Sequence, residues 1–242
     1  MERIVNFAPL VYIVVLNYNG YRDTIECIDS LEKIEYSNFR VIIVDNCSVD
    51  NSGEILKNMF PDHLLIQSPV NKGYSAGNNL GIQYAIENRA DYIIILNNDT
   101  VVESSFLSEL IEFCENDSQV GVVGPKVLDY GSTNIQKWCA RAELHFLDRI
   151  MVTSIISVIL KNNFFIKKHF YSDYDFLNPK QVYAISGCCM CIKNAVFKEV
   201  GLLDETVFLF MEEEILAEKL KKTKYKTYIN PRSVIYHKES NS

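Results

Sequence analysis

The chain has 242 residues with a net charge of -7, 48% hydrophobic and 23% charged residues, and seven cysteines. That is enough chain for one sizeable α/β core, and the acidic balance argues against a nucleic-acid binder, because phosphate-backbone affinity needs clustered Lys and Arg. An odd number of scattered cysteines without a secretory signal fits a reducing cytoplasm better than a disulfide framework; Cys188, Cys189 and Cys191 stand too close together for a zinc site and read as small core residues.

Val11 to Leu16 is a short β-branched run, the pattern of a buried parallel strand. The helix after it opens with Asp23 and carries Glu26 three residues on, a capping-box spacing, then sets Ile25, Ile28, Leu31 and Ile34 along one side. Val41 to Val44 is a second strand, ending in the turn-rich Asp45-Asn46-Cys47-Ser48-Val49-Asp50, with Asp50 expected to cap a helix through about Phe60. A third strand is expected over Leu64 to Gln67, a helix over Asn78 to Glu87, and a fourth strand over Tyr92 to Leu96, which stops in Asn97-Asn98-Asp99-Thr100. Strands separated by helices imply right-handed crossovers and an open, mostly parallel sheet.

Helix Phe106 to Glu115 and strand Val120 to Val123 keep this rhythm, and Gly124-Pro125 is expected to break it. Leu128 to Lys180 is aromatic and irregular. Within it Ile150 to Leu160 is too short to span a bilayer, and the following Lys161, Phe164, Phe165, Lys167 and Lys168 form either a buried helix with its exit or a stretch resting peripherally on a membrane. Val182 to Ile192 is apolar around Gly187. Asn194 looks like the cap of a short helix closed by Gly201, Leu209 to Lys222 is helical by pattern, Tyr225 to Ile229 is a strand, and His237 precedes a polar tail. The expected organisation is one domain over residues 1–242, with a nucleotide-binding half at about 8–127 and an acceptor-facing half at about 128–242.

In an open α/β sheet the loops after parallel strands line one crevice. Here they are Asn17-Tyr18-Asn19-Gly20, Asp45-Asn46, Asn71-Lys72-Gly73-Tyr74-Ser75-Ala76-Gly77-Asn78-Asn79 and Asn97-Asn98-Asp99. An oxygen-rich edge of this kind suits a hard divalent cation and the diphosphate it bridges. In this order and spacing the four segments resemble the family 2 glycosyltransferases of GT-A fold, above all the rhamnosyltransferase-like bacterial members. The resemblance runs from about Val11 to His237 and is weakest between Leu128 and Lys180.

It implies a Rossmann-like α/β fold and an inverting, metal-dependent transfer of a sugar from a dTDP- or UDP-sugar donor to a hydroxyl of a glycan or lipid-linked acceptor. The setting implied is cell-surface polysaccharide synthesis at the inner face of the membrane. Asn17, Asp45, Lys72, Gly73, Asn78 and Asn98 match the nucleotide side. Asn97 and Asp99 match the Asp-x-Asp metal motif, with Asn replacing the first Asp, and His237 matches a histidine that completes the shell around Mn²⁺ or Mg²⁺. Glu212 and Glu213 match the Glu-Asp pair in which the second acid is the base, so Glu213 takes that place; Glu for Asp, and Ile215 where an Asp often stands, leave the choice between Glu212 and Glu213 open. The acceptor is expected near Ser186-Gly187, where Gly187 gives room, and Trp138 either stacks on a sugar or packs. Two other readings compete: a sugar-nucleotide nucleotidyltransferase, which should show a Gly-rich basic loop after the first strand where this chain has Asn17-Tyr18-Asn19-Gly20, and a catalytically silent glycan-binding relative.

Overall fold

The computed structural model describes residues 8–144, 164–171 and 173–238. In chain order these form β1 (Val11–Asn17), α1 (Tyr21–Leu31), β2 (Phe39–Asp45), α2 (Ser52–Met59), β3 (Leu64–Gln67), α3 (Tyr74–Glu87), β4 (Tyr92–Asn97), β5 (Thr100–Val102), α4 (Phe106–Asn116), β6 (Val120–Asp129), β7 (Ala140–Arg141), α5 (Phe164–His169), β8 (Lys180–Val182), β9 (Ala184–Ile185), β10 (Cys189–Lys193), α6 (Asn194–Val200), α7 (Glu212–Leu220) and β11 (Lys226–His237).

Nine strands make one sheet in the order β3-β2-β1-β4-β10-β6-β11-β5, with β8 also on β11; β7 and β9 form a separate pair. Six of the nine, β1, β2, β3, β4, β6 and β11, point the same way, while β10, β5 and β8 run against their neighbours. This is the α/β, mostly parallel sheet flanked by helices that the alternating pattern predicts. β10, from the second half of the chain, lies between β4 and β6, so a single sheet takes strands from both sides of residue 127.

The core sits on both faces of the central strands. Ile13, Val14, Val15, Ile42, Ile43, Val44 and Ile93 to Leu96 are fully buried, as unbroken β-branched runs in a doubly covered sheet require. Cys188, Cys189 and Cys191 are buried there too, and all seven cysteines are free. Among the described residues no helix is long and apolar enough to cross a membrane. The stretch Ile150 to Leu160, with Lys161, lies outside the described residues, as does His145.

Several local expectations change. Asp23 and Glu26 do not cap α1, whose N-cap is Gly20 without a side-chain bond; both carboxylates instead receive Lys238 Nζ, at 2.5 and 2.6 Å. Asp50 accepts from Ser52 N at 3.0 Å, but from one position before the N-cap Asn51. α3 begins at Tyr74, four residues before the expected start. Asn194 is the first residue of α6 rather than its cap, with Nδ2 on Ala90 O, whereas Gly201 ends that helix at φ 77° as expected.

β6 does not stop at Gly124-Pro125 but continues to Asp129. Pro125 offers no N–H to the ladder, and the sheet absorbs this on one side only. β10 reaches no farther along β6 than Val122 and Val123, and β11 shifts register between Asn230 and Val234, opposite Pro125 and Lys126. That irregularity lets β11 run on to His237, well past the expected end at Ile229.

Candidate active site

The strand tips are level. Asn17 stands opposite Asp45, Leu16 opposite Asn97, and Asp45 opposite Gln67, so the residues after β1, β2 and β4 share one edge. Asn17 is fully buried and ties this edge together. Its Nδ2 donates to Asp45 Oδ1 at 2.8 Å and Ser48 Oγ at 3.1 Å, while its Oδ1 accepts from Thr24 Oγ1 at 2.8 Å. Asp45 is also fully buried, with Oδ2 accepting from Ser48 N at 3.3 Å. Asn98 Nδ2 reaches Gly20 O and Thr24 Oγ1, which fixes the start of α1 to the β4 turn.

The loop before α3 closes the crevice. Gly73 has φ 96°, and a Cβ there would stand 2.2 Å from Phe208 O, so glycine is required by the crossing of the 204–211 segment rather than by the approach of a ligand. Gly77 likewise makes room for Leu16 and Asn46. Lys72 is exposed. Asn78 is buried with Nδ2 on Tyr74 O, which turns its donor into its own helix. Asn46 Oδ1, Ser75 Oγ and Asn78 Oδ1 are nevertheless buried with no hydrogen-bond partner among the described residues. Such orphans mark where a water or a ligand donor belongs.

Asp99 and His237 meet at the end of β4, because His237 pairs with Thr100 across the β5–β11 ladder and Lys238 N donates to Asp99 O at 3.0 Å. Gln136 sets the imidazole. Its Nε2 donates to His237 O at 3.1 Å, and a carbonyl can only accept, so its Oε1 faces His237 Nδ1 at 3.0 Å and that nitrogen carries the proton. In a neutral ring Nε2 then directs a lone pair toward Asp99 Oδ1, 3.1 Å away. Two ligands about 2.1 Å from one octahedral ion stand roughly 3 Å apart, so this pair, with Asn97 beside it, suits a divalent cation. Among the described residues no group of three His, Cys, Asp or Glu does so; the third candidate ligand of this edge is the amide oxygen of Asn97.

Tyr74 joins this edge to the acids. Its hydroxyl contacts Asn97 Oδ1 at 3.1 Å and Gly187 O at 2.8 Å, and burial pushes it well above the usual phenol range. A Cβ on Gly187 would lie 2.8 Å from Glu212 Oε1 and 3.8 Å from Glu213 Oε2, so the missing side chain leaves space for the acids. Glu212 is 6% exposed; burial, then the charge of Glu213, raise it to about 7. Glu213 Oε1 is held by Arg141 Nη2, which also donates to Ile185 O at 3.1 Å.

Trp138 is half exposed and sets its edge against Phe170, ring centroids 4.6 Å apart. Sequence reasoning missed Arg141 and Gln136, both in the irregular 128–180 segment where no periodicity marks them. Tyr74 lay inside a recognised motif, but only the fold gave it its two partners.

The family model for glycosyl transferase family 2 matches residues 12–201. The Streptococcus pneumoniae glycosyltransferase GlyG is 31% identical over 120 residues, covering 48% of this chain and 39% of GlyG. The Haloferax volcanii low-salt glycan biosynthesis hexosyltransferase Agl10 is 24% identical, covering 83% and 58%. The N-acetylglucosaminyl-diphospho-decaprenol L-rhamnosyltransferase of Mycobacterium tuberculosis is 23% identical, covering 82% and 66%. The chain thus spans between 39% and 66% of the length of these relatives.

Among solved structures, the mannosyltransferase PcManGT of Pyrobaculum calidifontis in complex with GDP-Man and Mn²⁺ superposes with TM-score 0.68 at 15% identity, over 98% of this chain and 59% of that one. S. aureus TarS 1-349 in complex with UDP-GlcNAc gives 0.64 at 16%, over 96% and 59%. At such identities the likeness speaks to the GT-A fold. The family match spans most of the chain and takes in the strand edge of Asn17, Asp45 and Asp99: this protein belongs to glycosyl transferase family 2.

Proposed function

We propose that the protein transfers a sugar from a nucleotide-diphosphate donor, a UDP- or dTDP-sugar, to a hydroxyl of a glycan or lipid-linked acceptor, with inversion and with Mn²⁺ or Mg²⁺ as cofactor. The observation that carries this reading is the bridge through Tyr74: one hydroxyl contacts Asn97, next to the Asp99–His237 pair, and the Gly187 carbonyl, beside the two glutamates. Groups suited to a cation and groups suited to a proton are one side chain apart.

Asp99, Asn97 and His237 would hold the cation, with Gln136 fixing the imidazole. When bound, that ion offsets charge on the departing diphosphate. The buried orphan oxygens of Asn46, Ser75 and Asn78 are acceptors for donor groups of the nucleotide or ribose, and Lys72 is an exposed cation at the same loop. A carboxylate of the Glu212–Glu213 pair takes the acceptor proton, a contribution of roughly 10² to 10⁴ in rate. The acceptor is assigned to the Gly187 side, beside these acids, and direct displacement of the diphosphate by its hydroxyl inverts the anomeric centre. The GDP-Man and UDP-GlcNAc bound by PcManGT and TarS support a nucleotide-sugar donor, and the diphospho-decaprenol in the name of the rhamnosyltransferase relative supports a lipid-linked acceptor.

The test is a panel of nucleotide sugars with Mn²⁺, read by thermal shift and by nucleoside diphosphate release. A donor-specific shift with release lost in Asp99→Ala supports the transferase. Pyrophosphate release points instead to a nucleotidyltransferase, and a folded protein that answers to no donor is a scaffold.

A further inference from the structure

Seven of the thirteen large apolar or aromatic side chains that are exposed among the described residues lie around one edge of the sheet. They are Tyr18 after β1, Val49 after β2, Val70 after β3, and Phe208, Leu209, Phe210 and Met211 in the run that leads into α7. Single apolar residues scattered over a surface are ordinary, but a contiguous set marks an interaction site.

Hydrogen bonds join the four segments around the mouth of the crevice. Val49 N donates to Asn19 Oδ1 at 2.8 Å and Asn19 N to Ser48 Oγ at 2.9 Å, which sets the Tyr18 turn beside Val49. Cys47 Sγ meets Pro69 O at 3.6 Å, next to Val70, and Asn46 Nδ2 donates to Asn71 Oδ1 at 3.0 Å. Tyr74 N donates to Phe208 O at 2.8 Å, which carries the rim from the loop before α3 to the apolar run. Phe210 and Met211 both have positive φ, a strained bend whose exposed side chains gain no packing from it.

From this we infer that the rim is a membrane-docking surface, and that its occupant is the bilayer in which the acceptor is anchored. The choice of occupant rests on the transferase reading. A lipid-linked hydroxyl reaches the acids of α7 only if the mouth of the crevice faces the bilayer that holds it, whereas a second copy of the chain seated on the same rim would close both mouths. Charge agrees with this choice. The protein carries -7 overall, yet Tyr18–Gly20, Cys47–Asp50, Pro69–Gly73 and Phe208–Met211 together hold one acid, Asp50, and one base, Lys72. An anionic leaflet repels an acidic protein, so a near-neutral apolar rim is the face that can approach it. Insertion of the side chains to headgroup depth then supplies the attraction, and Tyr18 adds a ring with a polar tip, suited to that depth. The contact thus falls at the strand edge and not at the basic stretch Lys161 to Lys168, which would need anionic lipid.

Co-sedimentation with vesicles tests this without donor or acceptor. The probes are phosphatidylcholine vesicles and mixed phosphatidylcholine–phosphatidylglycerol vesicles, each at low and high salt. Wild-type protein should bind both to a similar extent and keep binding in high salt, because apolar insertion is not screened. The double variant Phe208→Ser/Phe210→Ser should lower binding roughly 10-fold or more, and Val49→Asp, elsewhere on the rim, should lower it as well. All three side chains are exposed, so Tm should stay at the wild-type value.

No binding of wild-type protein to either vesicle overturns the inference. So does binding that requires phosphatidylglycerol, vanishes in salt and ignores the rim variants, which is the behaviour of a basic patch. Binding lost in the phenylalanine variant but untouched by Val49→Asp overturns a shared rim. A concentration-dependent dimer in sedimentation velocity, absent from the phenylalanine variant, gives the rim to a second copy and overturns the bilayer. The two readings fail separately: nucleoside diphosphate release without vesicle binding removes the docking surface alone, and vesicle binding without turnover of any donor removes the transferase reading and leaves the surface standing.

Discussion

Asp99 Oδ1 and His237 Nε2 lie 3.1 Å apart, one at the turn after β4 and the other at the last residue of β11. If they share a cation, Asp99→Asn should abolish Mn²⁺ binding measured by electron paramagnetic resonance in the presence of UDP. Gln136→Leu leaves Asp99 and His237 in place but removes the acceptor that fixes the imidazole tautomer, together with the amide donor to His237 O, and should weaken Mn²⁺ by roughly 10- to 100-fold. Unchanged Mn²⁺ affinity in both variants would count against this site.

Gly73→Ala tests the crossing of the 204–211 segment. The φ of 96° costs a side chain about 1–3 kcal/mol, and the Cβ must also displace Phe208 O. Urea unfolding should show at least that loss. Limited proteolysis should cut faster at Phe208 to Met211, a run of four exposed apolar residues in which Phe210 and Met211 already have positive φ.

Asn17→Leu should destabilise by about 1–3 kcal/mol, because it leaves the buried Asp45 carboxylate and the Thr24 hydroxyl without their partner. Thr24→Val also loses the bonds to Gly20 O and from Asn98 Nδ2, but it leaves the donor to the Asp45 carboxylate in place, so no buried charge is stranded and it should cost less. Denaturant midpoints at equal m-value decide the order.

Lys238 clamps the end of β11 to α1. Its bonds, then that from Tyr130, hold the Glu26 carboxyl below its ordinary value of 4.5. A depressed acid contributes stability that is present above that value and lost as pH falls through the lower, folded-state pKa. Glu26 is 41% exposed, so screening limits the effect to less than about 1 kcal/mol. Lys238→Met should therefore flatten the acid limb of Tm slightly, and added salt should erase the difference.

What could be read in advance follows from the range of each interaction. Val11 to Leu16, Val41 to Val44 and Tyr92 to Leu96 are continuous apolar runs that have one low-energy fate, a doubly covered sheet, and the polar turn ending each run must then fall at one edge. Asn17, Asp45 and Asp99 were placed by that logic together with the family resemblance. Capping was read less well: Asp23 and Glu26 have the spacing of a local box, and a lysine from the far end of the chain took both.

The sequence by itself determined the α/β alternation and which loops share the crevice, because periodicity and turn chemistry act between near neighbours. Only the tertiary structure decided that Pro125 lies within a strand, that Gln136 orients His237, that Tyr74 spans Asn97 and Gly187, and that Arg141 takes Glu213 rather than Glu212. Each of those is a single contact between distant segments, fixed by how the sheet brings them together, and a lone side chain in an irregular stretch carries no repeat from which its partner could be deduced.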